Sequence, residues 1–424
     1  MKKWIAGASR LFFKGLHVTE ALFGLPKSIS DSLHFRENWE QFLVRASPVP
    51  TLWIHGASVG ELEDLANFFL NEEALKEAGY DSSRLVVTAS SPSAKPFLER
   101  LRQRGLVIYA GPIPSEDPQK ITSFLETLQP ELLVLSHSDL WPNLMLAAQE
   151  RALARGIVWM PAKASSATSL FENVVRPEKL IAVGVRSAFE VDALRTRLSN
   201  YSSSQIVWIG NPRLDRIASR ILDQQSRDHH VLEESRARPD NRKLSLLMGS
   251  AWPEDAAVLA EALKALSTED QARIQIVVIP HVTDDMHVVA SIQHLLPMAR
   301  ILRIQGVLLE AYQDFDLAFV GGGFRTGLHS VLEPALWGLP IFCGPQLRKQ
   351  IEAPELEALG ALHPIVSAAL LSQQLSTYLS RPEALQAATA ASRAASDKMK
   401  ASTGASKRLS HLLGASRIGR HVRN

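Results

Sequence analysis

Residues His55 to Glu61 (HGASVGE) and Phe319 to Pro345 (FVGGGFRTGLHSVLEPALWGLPIFCGP) hold the residue types whose spacing can do chemistry. The first stretch contains Gly56-Ala57-Ser58-Val59-Gly60, a G-x-S-x-G turn, with Glu61 directly after it. Between a strand and a helix, such a turn presents the serine nucleophile of α/β-hydrolases. Against that reading, no strands precede this one to supply the usual oxyanion-hole loop. In the other reading the small residues bring a loop close to a substrate. Glu61 then opens the next helix, where the dipole favours a carboxylate, and is a candidate general base. In the second stretch the apolar run Leu317 to Val320 is followed by Gly321, Gly322 and Gly323, with Gly327 closing the loop. The pattern predicts strand, glycine loop, a helix over about 329–337 and a strand at 340–343. Glycines allow close backbone approach and a helix N-terminus attracts anions, so a phosphate is the expected ligand. A dinucleotide fold wants G-x-G-x-x-G and an acid about 20 residues further on. Here Thr326 stands where the third glycine belongs, and the strand ending at Cys343 carries no acid at its tip, which argues against NAD. A mononucleotide or sugar-nucleotide site remains, with His329 and Glu333 four residues apart and so on one face of the predicted helix.

The elements that must position these residues alternate along the chain. Apolar runs at 51–54, 85–88, 106–109, 132–135, 157–160, 180–184 and 206–209 are separated by helical stretches such as 61–70, 93–104, 142–155 and 187–198. After Asn211-Pro212 and a polar, strandless region at 222–242, strands are expected again at 244–248, 274–279, 300–303, 306–309, 316–320 and 340–343. Alternation of this kind predicts an α/β protein with two parallel-sheet, Rossmann-like domains facing a central cleft. The expected divisions are an N-terminal segment at 1–35, a first domain at 36–212, a second at 213–385 and a basic helical tail at 386–424.

Composition narrows the class. The 424 residues include 46 basic and 44 acidic side chains, a net charge of +2, so no polyanion or nucleic-acid partner is implied. Both ends are basic while the middle is balanced. The single cysteine, Cys343, excludes an internal disulfide and a cysteine-based zinc site. The thirteen histidines show no H-E-x-x-H or similar ligand spacing, so no metal is expected. On a helix through residues 4–25, Ile5, Ala8, Phe12, Leu16 and Phe23 share one side, and Lys3, Arg10, Lys14 and His17 the other. Arg10, Lys14 and Glu20 make the run too polar to span a bilayer. Two readings stand: a basic amphipathic helix lying in a membrane interface, or a core-packing helix of the first domain.

Taken together these segments resemble the Kdo transferases, which move 3-deoxy-D-manno-octulosonic acid from CMP-Kdo to lipid A precursors in lipopolysaccharide synthesis. HGASVGE (55–61) is similar to the family's H-x-x-S-V-G-E, and DLWPNL (139–144) to its E-x-W-P-N segment. GNPRLDRI (210–217) resembles G-N/D-x-K/R-F-D, and GSAWPED (249–255) resembles G-S-T-W/H-x-x-E. VGGGFRTGLHSVLEP (320–334) resembles the nucleotide-binding signature V-G-G-x-x-x-x-G-x-H-N-x-L-E-P. The chain departs from the family at His281-Val282, where members carry Arg-His, at Ser330 in the H-N pair, at His137, and at Pro161-Ala162-Lys163.

The resemblance implies the two-domain GT-B fold and an inverting, metal-independent glycosyltransferase that needs no cofactor. It implies Glu61 as catalytic base, with Ser58, Gly60, Asp139, Trp141 and Lys163 toward the acceptor. Ser250, Trp252, His281, Gly321, Gly322, Gly323, Arg325, Gly327, His329, Ser330 and Glu333 would hold the nucleotide sugar. CMP-Kdo and a lipid A precursor (lipid IVA) are the substrates it implies, at the anionic cytoplasmic face of the inner membrane of a Gram-negative cell. Two alternatives stand beside it: a GT-B relative using another nucleotide sugar, and a non-catalytic lipid A-binding scaffold. The oligomeric state, the number of Kdo residues added and the acyl-chain preference are not legible in the sequence.

Overall fold

The computed structural model describes residues 31, 35–36, 39–46, 49–136, 139–162, 167–186, 188–227, 243–325, 327–347 and 350–421. The expected amphipathic segment at 4–25 lies outside the described residues, as do Lys163 and Thr326. Among the described residues, no helix is long and apolar enough to cross a membrane.

Aliphatic runs that are buried along their whole length can only be central strands of a covered sheet. TLWIHG (51–56) and LVVTA (85–89) are of this kind. They belong to a seven-stranded sheet built from β1 (Thr51–Gly56), β2 (Leu85–Ala89), β3 (Tyr109–Pro112), β4 (Pro130–Leu135), β5 (Gly156–Ala162), β6 (Leu180–Val185) and β7 (Ile206–Trp208). Its order is β3-β2-β1-β4-β5-β6-β7, with every neighbour parallel. One face is closed by an aromatic cluster, in which Trp39, Trp53 and Tyr109 surround Phe124 at centroid distances of 5.2 to 5.6 Å. The other face packs Leu52, Ile54, Leu62 and Phe69 with Leu409 and Leu413.

A six-stranded parallel sheet follows: β8 (Leu244–Ala251), β9 (Ile274–Pro280), β10 (Arg300–Ile301), β11 (Leu317–Val320), β12 (Ile341–Cys343) and β13 (Leu362–Pro364), in the order β10-β9-β8-β11-β12-β13. Each sheet therefore starts in its middle, runs to one edge and returns to the other side. The winding reverses between β1 and β4, and again between β8 and β11. At such a reversal the loops leave adjacent strands toward opposite faces, which opens a crevice at the carboxyl ends. Both glycine-bearing stretches of the sequence leave strands at these reversals.

Several elements differ from expectation. Residues 306–309 form no strand; the chain turns there into a helix at Leu308–Tyr312. The third strand is Tyr109–Pro112 rather than 106–109, and β13 was not anticipated. The polar 222–242 region is helical as far as Arg227, in the helix Pro212–Arg227, and 228–242 is outside the described residues. The chain divides into a unit that ends at Arg216 and resumes at Thr403, and a second unit, Ile217–Ser402. The expected tail at 386–424 is thus not one piece. The helix Pro382–Lys400 belongs to the second unit, whereas Ala405–His421 lies on the first. There Leu409 and Leu413 are fully buried, and Asp215 accepts from Gly404 N–H (2.7 Å) and Ser406 N–H (2.8 Å).

Candidate active site

On the first unit, β1 ends at Gly56 and the helix Val59–Phe69 begins two residues later. Glycine relieves crowding at position 56, where a Cβ would stand 3.1 Å from Glu61 Cβ and 3.3 Å from Leu62 N. Glu61 occupies the third helical position. Its Oε2 accepts at 2.7 Å from the N–H of Ala57, the residue before the N-cap Ser58. Burial raises the Glu61 pKa against the lowering pull of that hydrogen bond, and the Asp139 carboxylate raises it further. A half-buried carboxyl with this bias takes up a proton more readily than an exposed one, which suits a general base.

Asp139 follows β4, on the other side of the reversal. It is buried, yet its pKa is held down to about 2 because His55, Ser90 and Trp141 hydrogen-bond to it. His55 Nε2 and Ser90 Oγ meet the same oxygen, Oδ2, at 3.0 and 2.5 Å. The partners settle the His55 tautomer. Nε2 carries the proton toward the carboxylate, and Nδ1 faces Thr88 Oγ1 at 2.8 Å. Thr88 in turn accepts from the buried Trp53 indole at 2.7 Å. Behind Asp139, the Arg36 guanidinium lies 3.5 Å over the Trp141 ring and donates to the Pro114 carbonyl at 2.6 Å. Burial lowers the Arg36 pKa to about 10, against the pull of Glu116 and Asp139. Glu116 caps the helix Pro142–Arg151 through the N–H groups of Asn143 (3.0 Å) and Leu144 (3.2 Å).

This arrangement decides between the two sequence readings of the turn. A nucleophilic serine needs a base within hydrogen-bond reach. Both His55 nitrogens are engaged by Thr88 and Asp139, and Ser58 makes no side-chain bond to the helix it precedes. Gly60 is exposed, with nothing within 4 Å of where its Cβ would be.

On the second unit, β8 runs into Ser250, which has a positive φ of 52°, and Trp252 precedes the helix Pro253–Lys264. Trp252 donates its indole N–H to His329 Nε2 at 3.0 Å. His281 stacks on His329 with centroids 4.0 Å apart, and on Trp252 at 5.1 Å. The Arg325 guanidinium sits 3.9 Å over the Trp252 ring and pairs with Glu254 at 3.6 Å. Four of the residues expected at a nucleotide site are therefore in mutual contact at the ends of β8, β9 and β11. Partial burial and the Arg325 charge lower the His281 pKa.

The glycine loop is packed closely within its own unit. The helix after it is Leu332–Trp337, so His329 and Ser330 lie in irregular chain before it, and His329 does not share a helix face with Glu333. With six residues, starting well after the glycines, that helix offers no anion site to the loop. The loop amides are already bonded within the unit. Gly321 N–H donates to Gly249 O, Gly322 N–H to Asp255 Oδ2, and Arg325 and Gly327 N–H to Gly322 O. The glycines are needed for backbone packing. A Cβ on Gly321 would come 2.2 Å from Ser250 O, and one on Gly323 2.6 Å from Gly344 N. Of the four clustered residues Arg325 carries the positive charge, since His329 Nε2 accepts the Trp252 N–H and burial with the Arg325 charge disfavours protonation of His281. Ser330 Oγ is buried with no hydrogen-bond partner among the described residues, and Glu333 is half-buried on the short helix.

Sequence reasoning did not single out Arg36, Glu116, Thr88, Ser90 or Asp255. Only Asp255 had a local signal, its place at the third position of a helix opened by Trp252-Pro253.

Residues 33–215 match the sequence model of the 3-deoxy-D-manno-octulosonic-acid transferase (kdotransferase) family. The 3-deoxy-D-manno-octulosonic acid transferase of Aquifex aeolicus is 22% identical over 78% of this chain and 86% of its own length. That of Chlamydophila psittaci is 26% identical over 74% and 73%. Among solved structures, the UDP-GlcNAc 2-epimerase of Neisseria meningitidis bound to UDP-GlcNAc superposes with a TM-score of 0.55 at 15% identity, covering 89% of this chain and 100% of that one. A glycosyltransferase from Rickettsia africae gives 0.53 at 13% identity, covering 88% and 98%. At such identities the structural likeness establishes the fold alone, two Rossmann-like units of the GT-B kind. The first unit thus carries the 3-deoxy-D-manno-octulosonic-acid transferase domain, the chain is similar to these transferases along most of its length, and it is a glycosyltransferase.

Proposed function

We propose that this chain transfers Kdo from CMP-Kdo to a hydroxyl of a lipid A precursor, with inversion, and that Glu61 is the base. The observation that carries the proposal is the Glu61 carboxyl, fixed by Ala57 N–H at the sheet reversal and biased toward taking a proton by burial and by Asp139. The acceptor hydroxyl oxygen attacks the anomeric carbon of Kdo and its proton passes to Glu61. The bond from that carbon to the phosphate oxygen breaks, and its electron pair leaves with CMP. Arg325 and His281 would meet the phosphate, and Glu333 the ribose. The aromatic seat of Arg325 on Trp252 preorganises its charge, so little reorientation is needed as negative charge develops. Asp139, Trp141, Ser58 and Gly60 would face the acceptor.

Binding of CMP tests the donor half. Anything that binds the folded state alone stabilises it, by about 2.7 kcal/mol at 100 times Kd. For a unit of this size that is roughly 5 °C or more in Tm. CMP should give such a shift and NAD none. A shift with UDP or CDP larger than with CMP would assign another nucleotide sugar, and a shift with NAD alone would sink the glycosyltransferase chemistry proposed here.

The acceptor is a lipid, so the protein must work at a membrane surface. The basic, amphipathic composition of residues 1–30 supports peripheral attachment to an anionic, cytoplasmic leaflet. The full chain should co-sediment with vesicles containing phosphatidylglycerol at low salt and less so at 0.5 M NaCl, because screening weakens the electrostatic part. Equal, salt-indifferent binding to neutral vesicles would refute this attachment mode.

A further inference from the structure

Asp255 is fully buried on the first turn of the helix Pro253–Lys264. Its Oδ2 accepts from the N–H of Trp252 at 3.0 Å and from the N–H of Gly322 at 2.8 Å, and the backbone N–H of Phe324 also favours the carboxylate. The two segments it bonds lie more than sixty residues apart in sequence and leave adjacent strands, β8 and β11. A Cβ on Gly321 would stand 2.8 Å from the same oxygen, so the turn is built around this carboxylate. Oδ1 has no hydrogen-bond partner among the described residues. Trp252 and Arg325 lie on these two segments, and His329 and His281 pack against Trp252. Trp252 orients His329 through its indole and carries Arg325 on its ring, and His281 stacks on both aromatic partners.

We propose that Asp255 is the positioning residue of the donor site, a buried carboxylate that locks the glycine turn and Trp252 into one frame and so sets the affinity for the nucleotide. It touches no substrate and acts through the residues it holds. The part concerning the nucleotide rests on the Kdo transferase reading above, and the part concerning the turn stands without it.

The grip is sensitive to charge. Hydrogen bonds to an ionised acceptor are about twice as strong as those between neutral groups. Burial, with the three backbone bonds opposing it and Glu254 adding to it, raises the Asp255 pKa to about 6. The other titratable group facing it is the Cys343 thiol at the end of β12, which burial pushes up to about 12 and which is therefore neutral. Glu254 is itself paired with Arg325. A proton would enter at Oδ1, the oxygen with no partner. Protonation below about pH 6 leaves the geometry in place but weakens the hold on three amides.

Asp255→Asn is an isostere of that protonated form, with its oxygen toward the amides and its NH₂ at the Oδ1 position. Two measurements on the full-length protein test the proposal. In hydrogen exchange read by mass spectrometry, protection of a peptide over 319–330, corrected for intrinsic rates, should fall in wild type between pH 7.5 and 5.5. In Asp255→Asn it should be low at both. In calorimetric titration with CMP, the variant should bind about tenfold more weakly at pH 7.5. The ratio of variant to wild-type Kd should close toward one at pH 5.5, which removes the titration of CMP's own phosphate from the comparison. If Asp255→Asn fails to fold, Asp255→Glu replaces it, and retained protection with near-native CMP affinity is then the expected result. Unchanged protection, or loosened protection with unchanged CMP affinity, overturns the positioning role. Failure of wild type to bind CMP at all overturns the donor assignment instead, while the exchange arm still decides whether Asp255 holds the turn.

Discussion

Glu61→Gln is expected to lower turnover by roughly 10²–10⁴-fold, the range supplied by a positioned general base. A sugar hydroxyl is a weak nucleophile at neutral pH, and the amide keeps the size and hydrogen bonding of Glu61 while removing its basicity. CMP affinity should stay within about twofold, since every residue proposed to touch the nucleotide lies in the second unit. The pH profile gives a second readout. Burial and Asp139 raise the Glu61 pKa, so its working, deprotonated form is lost as pH falls through a value above the usual ~4.3 of a glutamate. kcat/KM in wild type should therefore rise with pH through that limb, and the limb should vanish in the variant. Ser58→Ala should be mild and a fluorophosphonate probe should not label the protein, because Ser58 has no base beside it. An inactive Ser58→Ala, a labelled serine and an active Glu61→Gln together would show hydrolase chemistry and refute the mechanism.

Gly321→Ala should cost the second unit about 3 kcal/mol, the upper end of what overpacking does to a well-packed core. The added methyl would meet Ser250 O at 2.2 Å and Asp255 Oδ2 at 2.8 Å. Neither is the free end of a flexible side chain, so the strain has nowhere to go. At 2–4 °C per kcal/mol for a unit of this size, the expected fall is roughly 6–12 °C in the melting of that unit. Gly322→Ala should cost a similar amount. Its φ of 90° disfavours any side chain, and the methyl meets Gly327 O at 2.6 Å. Gly60→Ala, in open space, is the control and should leave Tm unchanged within about 1 °C. If Gly321→Ala melts like wild type and loses only CMP binding, the glycines do serve the ligand directly and the packing account is wrong.

The sequence by itself determined the architecture. Buried strands of Val, Ile and Leu alternating with amphipathic helices leave few alternatives to two parallel sheets, because strand and helix periods are local properties written in every few residues. It also determined that Glu61 begins a helix directly after the first strand, since a G-x-S-x-G turn and its flanking periods are contiguous.

Where local periods were weak, the sequence misplaced elements. Residues 306–309 are as apolar as a strand, yet Gly306 turns the chain and a helix at Leu308–Tyr312 buries Leu309. The segment 329–337 reads as helix throughout, yet its first residues are drawn out of helical geometry. His329 is held to Trp252 by the indole, and its own N–H bonds back to Gly321 O. Both partners are remote in sequence or lie across a turn, and no local propensity records them.

The same reason separates the legible from the illegible parts of the site. The glycines announced a close approach, but not what approaches. Only the tertiary fold shows Ser250, Gly344 and Asp255 filling the space a ligand would otherwise take. Nothing near Arg36 in sequence signals that it will lie over Trp141, nor does anything near His55 signal that Thr88 and Asp139 will fix its tautomer. Those contacts join residues 33 to 105 positions apart, and they exist because a doubly wound sheet gathers the carboxyl ends of β1, β2 and β4 at one edge.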